Sequence, residues 1–293
     1  MNTNDIRFWE RLWQDYREAS PQRRRRRTKA GGPLNRWNKM AADFARHTHR
    51  PDHDERRRAV VADLVARGAL APGFRVLDIG AGPGAWARLL AETAAEVTAL
   101  EPADAMADIL EANIREAGAA NIRVVRRTWQ SVDLDAEGWR GAFDLVFASM
   151  SPGIDGPAAL YKMMAAGRRW CYLSAFAGRG PRPWHAELWR EFFDEPLGSH
   201  PSDIVYPFNL VYALGYRPRL EFVFWDRERT WDRDEALRQC TAYIEDYLEP
   251  SPEVAARVAA FVDRHMENGT MTRKHRTCHG MMTWNLDERP APQ

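Results

Sequence analysis

The sequence predicts an α/β protein: one seven-stranded, mostly parallel sheet with helices on both faces, a helical extension in front of it and an insertion after the fifth strand. Three observations carry this reading. Short segments rich in branched and aromatic residues alternate with helically spaced ones, the pattern of strands whose crossover helices cover both faces of a parallel sheet. The first strand runs straight into a glycine-rich turn, Gly80-Ala81-Gly82-Pro83-Gly84, and then into a helical stretch. The rhythm breaks after residue 177, where a long segment opening on GRGPRPWH intervenes before the next strand.

In chain order, residues 1–70 form a helical extension in which Trp9, Trp13, Trp37 and Phe44 supply apolar anchors. Residues 71–176 hold strands at 75–80, 96–101, 122–127, 143–149 and 170–176, with helices clearest at 86–92, 104–116 and 158–166. Residues 177–216 are the insertion, with two helical stretches at 186–193 and 203–214; length and aromatic content suit a lid over a binding site. Residues 217–293 complete the sheet, with strands at 220–225 and 280–286 separated by helices at 232–248 and 252–265.

Composition narrows the class. Over 293 residues, 45% apolar and 28% charged residues exclude a wholly disordered or collagenous chain. No apolar run approaches the roughly 20 residues of a membrane helix, so no membrane partner is expected. Three cysteines and the lack of a secretory leader point to a cytoplasmic protein. Cys240, His275, Cys278 and His279 lack the paired spacing of a metal site, and none is read. The net charge of +1 conceals an asymmetry: residues 1–58 hold 16 Lys and Arg against 8 Asp and Glu, +8, and the rest 26 against 33, −7. Within the basic part, Arg23, Arg24, Arg25, Arg26 and Arg27 follow one another between breakers, which reads as a mobile, solvated loop; the alternative is a phosphate or substrate clamp.

The glycine turn carries the chemistry. Glycines let the backbone turn sharply and admit a ligand, and Glu101, at the end of the second strand, is placed to accept hydrogen bonds from a ribose diol. Gly80, Gly82 and Ala85 also satisfy a dinucleotide fingerprint. Asp78, two places before the first glycine, sits awkwardly against pyrophosphate and suits a ligand bearing an ammonium group.

With Asp78, Gly80, Gly82 and Gly84 in the order D-x-G-x-G-x-G, the sequence resembles the class I S-adenosylmethionine-dependent methyltransferases. The resemblance covers residues 70–176 and implies a Rossmann-like sheet whose last strand is antiparallel. It implies S-adenosylmethionine as cofactor, held by Asp78, Gly80, Ala81, Gly82, Gly84, Glu101, Pro102, Met106, Trp129, Gln130 and Ser149. Trp129 and Gln130 replace the acidic residue common near the adenine in that family. Trp37 falls in an aromatic helix like the cofactor cover of small-molecule members. Ser149-Met150-Ser151-Pro152 does not match the tetrapeptide of amino-methylating members, so a small-molecule acceptor is expected, with Trp37, Ser151, Asp155, His185 and Tyr206 as candidate substrate contacts. No catalytic base follows from a motif; Asp155, His185, His200 and Tyr206 are the candidates. Two other functions stay open: an RNA methyltransferase using the arginine run, and a regulatory protein that binds the cofactor without catalysis.

Overall fold

The computed structural model describes residues 5–27, 32–48, 51–178, 183–198 and 202–288. Its seven strands are β1 (Arg75–Ile79), β2 (Glu96–Leu100), β3 (Ile122–Val125), β4 (Phe143–Ser149), β5 (Gly167–Phe176), β6 (Arg219–Trp231) and β7 (Met271–Asn285). They form one sheet in the order β3-β2-β1-β4-β5-β7-β6. β1 to β5 pair in parallel, and β7 enters antiparallel between β5 and β6, the architecture expected from the sequence.

Strand alternation divides the core. On one face Val76, Val97, Ala99, Leu145, Phe147 and Tyr172 pack against Leu64 of α4 (Pro51–Ala66), Ala87 and Leu90 of α5 (Ala85–Ala91) and Leu110 of α6 (Asp104–Ala117). On the other, Leu77, Ile79, Val146, Ala148, Leu173 and Met282 meet Trp13 of α1 (Ile6–Ala19), Leu160 and Met163 of α7 (Pro157–Ala166) and Leu210 of α9 (Val205–Ala213).

β6 and β7 run well past the spans that the sequence suggests. Their outer halves are charged, so apolar alternation disappears where the backbone ladder continues to Trp231 opposite Met271. The tip of this ribbon carries a second core. Trp231 and Met271 are buried there with Trp184 and Leu188 of α8 (Pro183–Phe192), Ala236, Cys240 and Ile244 of α10 (Arg233–Ile244), and Val258, Phe261 and Val262 of α11 (Pro252–Arg264). The insertion therefore divides: α8 joins this outlying core, whereas α9 packs on α1, with the Tyr16 and Tyr206 rings 4.7 Å apart.

The arginine run is not a solvated loop. It forms helix α2 (Pro21–Arg27), set against Phe193, Glu195, Asp246 and Tyr247. Arg24 and Arg25 pair with Glu195, and the Arg25 guanidinium lies 3.9 Å from the Phe193 ring centre. Arg26 bonds the Tyr247 hydroxyl at 2.9 Å and approaches Asp246. Asp246 also pairs at 2.8 Å with Arg36 of α3 (Gly32–Thr48), whose pKa burial lowers. Self-repulsion among neighbouring arginines is relieved by carboxylates and ring faces from distant parts of the chain. Asp246 thus ties α2 and α3 to the outlying core. Asp246→Asn is expected to hasten trypsin cleavage within the arginine run while the circular dichroism spectrum stays that of the parent; unchanged cleavage would show that Asp246 does not hold α2.

Candidate active site

The end of β1 is built around a single carboxylate. Glu101 accepts from the Gly82 amide at 2.8 Å and the Ala103 amide at 2.9 Å, joining the end of β2 to the glycine turn and to the start of α6. The Gly80 and Ala81 amides both donate to the Leu100 carbonyl. The Gly84 amide donates to the Ala81 carbonyl at 3.0 Å, so all four amides of the turn are spent within the fold rather than presented to a ligand. Gly80 and Gly84 have φ of 78° and 87°, and a Cβ on either would collide with Ser151 or Leu110.

Asp78 stands beside this turn, 1% exposed, and its Oδ2 is buried with no hydrogen-bond partner. Burial, reinforced by the nearby Glu101 carboxylate, pushes its pKa up to about 8. Burial also raises that of Glu101, against the two amides that favour its ionised form. The fold therefore holds a carboxyl group in want of a cationic or hydrogen-bonding partner.

A helix lies across the turn. The Phe44 ring of α3 approaches to within 3.8 Å of where a Gly82 Cβ would be. Trp37 packs edge-on to Phe44, and the two flank a cluster of Ala41, Ala103 and Met106. Asn38 Oδ1 accepts from the Ala105 amide at 3.0 Å, caring for the first turn of α6, whose own N-cap, Ala103, has no side-chain acceptor.

Residues 76–170 match a family model described as a methyltransferase domain. They are a class I S-adenosylmethionine-dependent methyltransferase domain. Its cofactor is S-adenosylmethionine. An uncharacterized protein of Haemophilus influenzae is 26% identical over 221 residues, 72% of this chain and 76% of that one. Among solved structures, the YcgJ protein of Bacillus subtilis has a TM-score of 0.52 at 15% identity, covering 78% of this chain and 98% of that one. A putative methyltransferase of Bacillus halodurans has 0.50 at 13%, with the same coverages. These two likenesses concern the fold.

The methyltransferase domain has features that fit its cofactor: an unpartnered buried carboxyl for an ammonium group, glycines where side chains would intrude, and an aromatic cover. Met106 lies in the cluster under Trp37 and Phe44, Ala81 is buried and Pro102 is partly covered. Trp129 is buried, its indole N–H donating to the Ala159 carbonyl at 3.1 Å, while Gln130 donates to Gly153 and Asp155. Ser149 meets Ser174 hydroxyl to hydroxyl at 3.0 Å across the ends of β4 and β5.

The candidate substrate residues do not converge. Ser151 lies against Gly80 and accepts from the Gly153 amide. Asp155 is engaged by Arg17 at 2.5 Å. Burial, with Tyr16 adding to it, pushes the Tyr206 phenol up to about 12, poor for a base near neutrality. His185 stacks on Tyr243 at 4.0 Å within the outlying core, apart from the glycine turn. His200 lies outside the described residues. Sequence reasoning missed Ser174, Phe176 and Trp225, and took His279 only as a metal candidate. The His279 ring is 5.3 Å from Phe176, which ends β5, and 5.7 Å from Trp225. Only the strand register, Phe176 opposite His279, reveals this grouping.

Because the fold keeps a proton on Asp78 that the unfolded chain releases above its ordinary value of 3.8, stability from this site falls as pH rises through the window up to about 8. Denaturant titrations are expected to show a steeper loss between about pH 5 and about pH 8 in the parent than in Asp78→Asn. Parallel losses would contradict a protonated Asp78.

Proposed function

We propose that this protein transfers the methyl group of S-adenosylmethionine to a small-molecule acceptor bound where β4 and β5 end and the β6–β7 ribbon begins. The observation that carries the reading is Asp78 Oδ2, buried without a partner beside the glycine turn that Glu101 braces. Asp78 would face the ammonium group of the bound cofactor, and Glu101 and the Phe44 cover would hold its nucleoside portion. The cofactor supplies a methyl group on a positively charged sulfur, already activated for displacement. The chain's share is then alignment and exclusion of water, with the Ser149 and Ser174 hydroxyls placed to orient an acceptor.

The arginine run supports a small molecule over RNA. Arg24, Arg25 and Arg26 are engaged by Glu195, Asp246 and Tyr247, which competes with service as a phosphate track. No helix among the described residues is long and apolar enough to cross a membrane. The cysteines Cys171, Cys240 and Cys278 are all free, in keeping with a cytoplasmic setting.

Calorimetry is expected to give a dissociation constant for S-adenosylhomocysteine of about 1 μM, near −8 kcal/mol. Glu101→Ala should weaken it by about 1–3 kcal/mol. With methyl-labelled cofactor and a metabolite extract, label should enter a low-mass product. Label found solely in RNA, or binding of NADH in place of the homocysteine product, would overturn the proposal.

A further inference from the structure

Helix α3 has two attachments. Toward the glycine turn it brings Phe44, steadied by the bond from the Ala105 amide to Asn38. Toward the segment that follows α10 it brings Arg36, whose Nε lies 2.8 Å from Asp246. Between these contacts α3 is thinly seated: Ala41 is buried, whereas Trp37 and Phe44 are half-buried and Leu34 and Asn35 are exposed. A helix with so little apolar burial depends on its polar ties for its position.

One carboxylate supplies the second tie, and it serves two cations. The Asp246 side chain is 11% exposed and meets Arg36 at 2.8 Å and Arg26 at 3.4 Å. The Arg26 Nε is buried without a hydrogen-bond partner, and burial, with Arg26 adding to it, lowers the Arg36 pKa. Two guanidinium groups thus share one carboxylate, and neither relieves its repulsion by releasing a proton near neutrality. Without the Asp246 charge, the relief left to them is movement of α2 or α3. α2 keeps its own ties, from Arg24 and Arg25 to Glu195 and from Arg25 to the Phe193 ring, so α3 is the helix that gives. Movement of Arg36 bears on the cover directly. Its guanidinium lies 5.6 Å from the Trp37 ring centre, and the Trp37 ring meets Phe44 edge-on at 5.8 Å.

We propose that Asp246 is a positioning residue for the cofactor: acting through Arg36, it sets Trp37 and Phe44 at the glycine turn, and cofactor bound there in turn steadies the arginine helix. This rests on the reading of α3 as the cofactor's cover. The effect is reciprocal by linkage, because a tie that favours cofactor binding is itself favoured once cofactor is bound. The segment that follows α10 therefore contributes to cofactor affinity through α3.

The test measures S-adenosylhomocysteine binding by calorimetry and trypsin cleavage within the arginine run on the same full-chain preparations. Asp246→Asn and Arg36→Met should each weaken S-adenosylhomocysteine by about fivefold or more. Arg36→Met leaves Asp246 paired with Arg26, so it strands no buried charge. Adding Arg26→Gln to Asp246→Asn removes the repulsion, and affinity should return to within about twofold of the parent. Deleting a second charge would not repair a merely structural defect. In the parent, saturating S-adenosylhomocysteine should slow cleavage of the arginine run, and in Asp246→Asn that protection should be lost. Unchanged affinity in both single variants, or a loss that Arg26→Gln does not repair, would overturn the proposal. Phe44→Ala separates it from the reading beneath it. Unchanged affinity in Phe44→Ala removes the cover reading and the proposal together, whereas a loss there with none in Asp246→Asn and Arg36→Met removes the positioning role alone.

Discussion

The Glu101 carboxylate holds the working end of the sheet together. By accepting from Gly82 on one side and Ala103 on the other, it binds three chain segments at one point: the end of β2, the turn after β1 and the start of α6. It consumes an amide that the turn would otherwise offer to a ligand, so recognition shifts toward side chains. It also places a second carboxylate next to Asp78, which the fold can bury only by keeping it protonated or by supplying a cation. The first stabilises the protein by itself, and the second is what the ammonium group would provide in the proposed binding mode.

Around that point the rest of the molecule is a set of fastenings. Asn38 secures α3 to α6, keeping Phe44 above the glycine turn. Asp246 secures α3 and α2 to the outlying core at the ribbon tip. α3 is thus held by the methyltransferase domain through Asn38 and by the segment that follows α10 through Arg36.

Much of the fold was legible because its signals are local. Branched strands, helical spacing and the D-x-G-x-G-x-G turn are readable within a few residues of one another, and they place β1 to β5 and their helices. The outer halves of β6 and β7 were not legible, since charged residues on one face and arginines on the other leave no apolar alternation. The arginine run was misread for a related reason: its partners Glu195 and Asp246 lie 171 and 220 residues away, and without them five adjacent cations look solvated. At the site, the positions of Asp78 and Glu101 were readable from motif spacing, whereas the bonds Glu101 makes depend on how two strand ends meet. The grouping of Phe176, His279 and Trp225 depends on antiparallel register, which no local pattern encodes.

The proposed role of Asp78 as counter-charge of an amino-acid-bearing nucleoside is tested most directly by comparing, as a function of pH, the binding of S-adenosylhomocysteine with that of 5′-methylthioadenosine, which lacks the amino-acid portion. As pH rises toward about 8, Asp78 releases its proton more readily to meet an ammonium group. S-adenosylhomocysteine affinity is expected to increase over that range, with proton release on binding, while 5′-methylthioadenosine affinity stays level. Equal pH profiles for the two ligands, with no proton released by either, would contradict it.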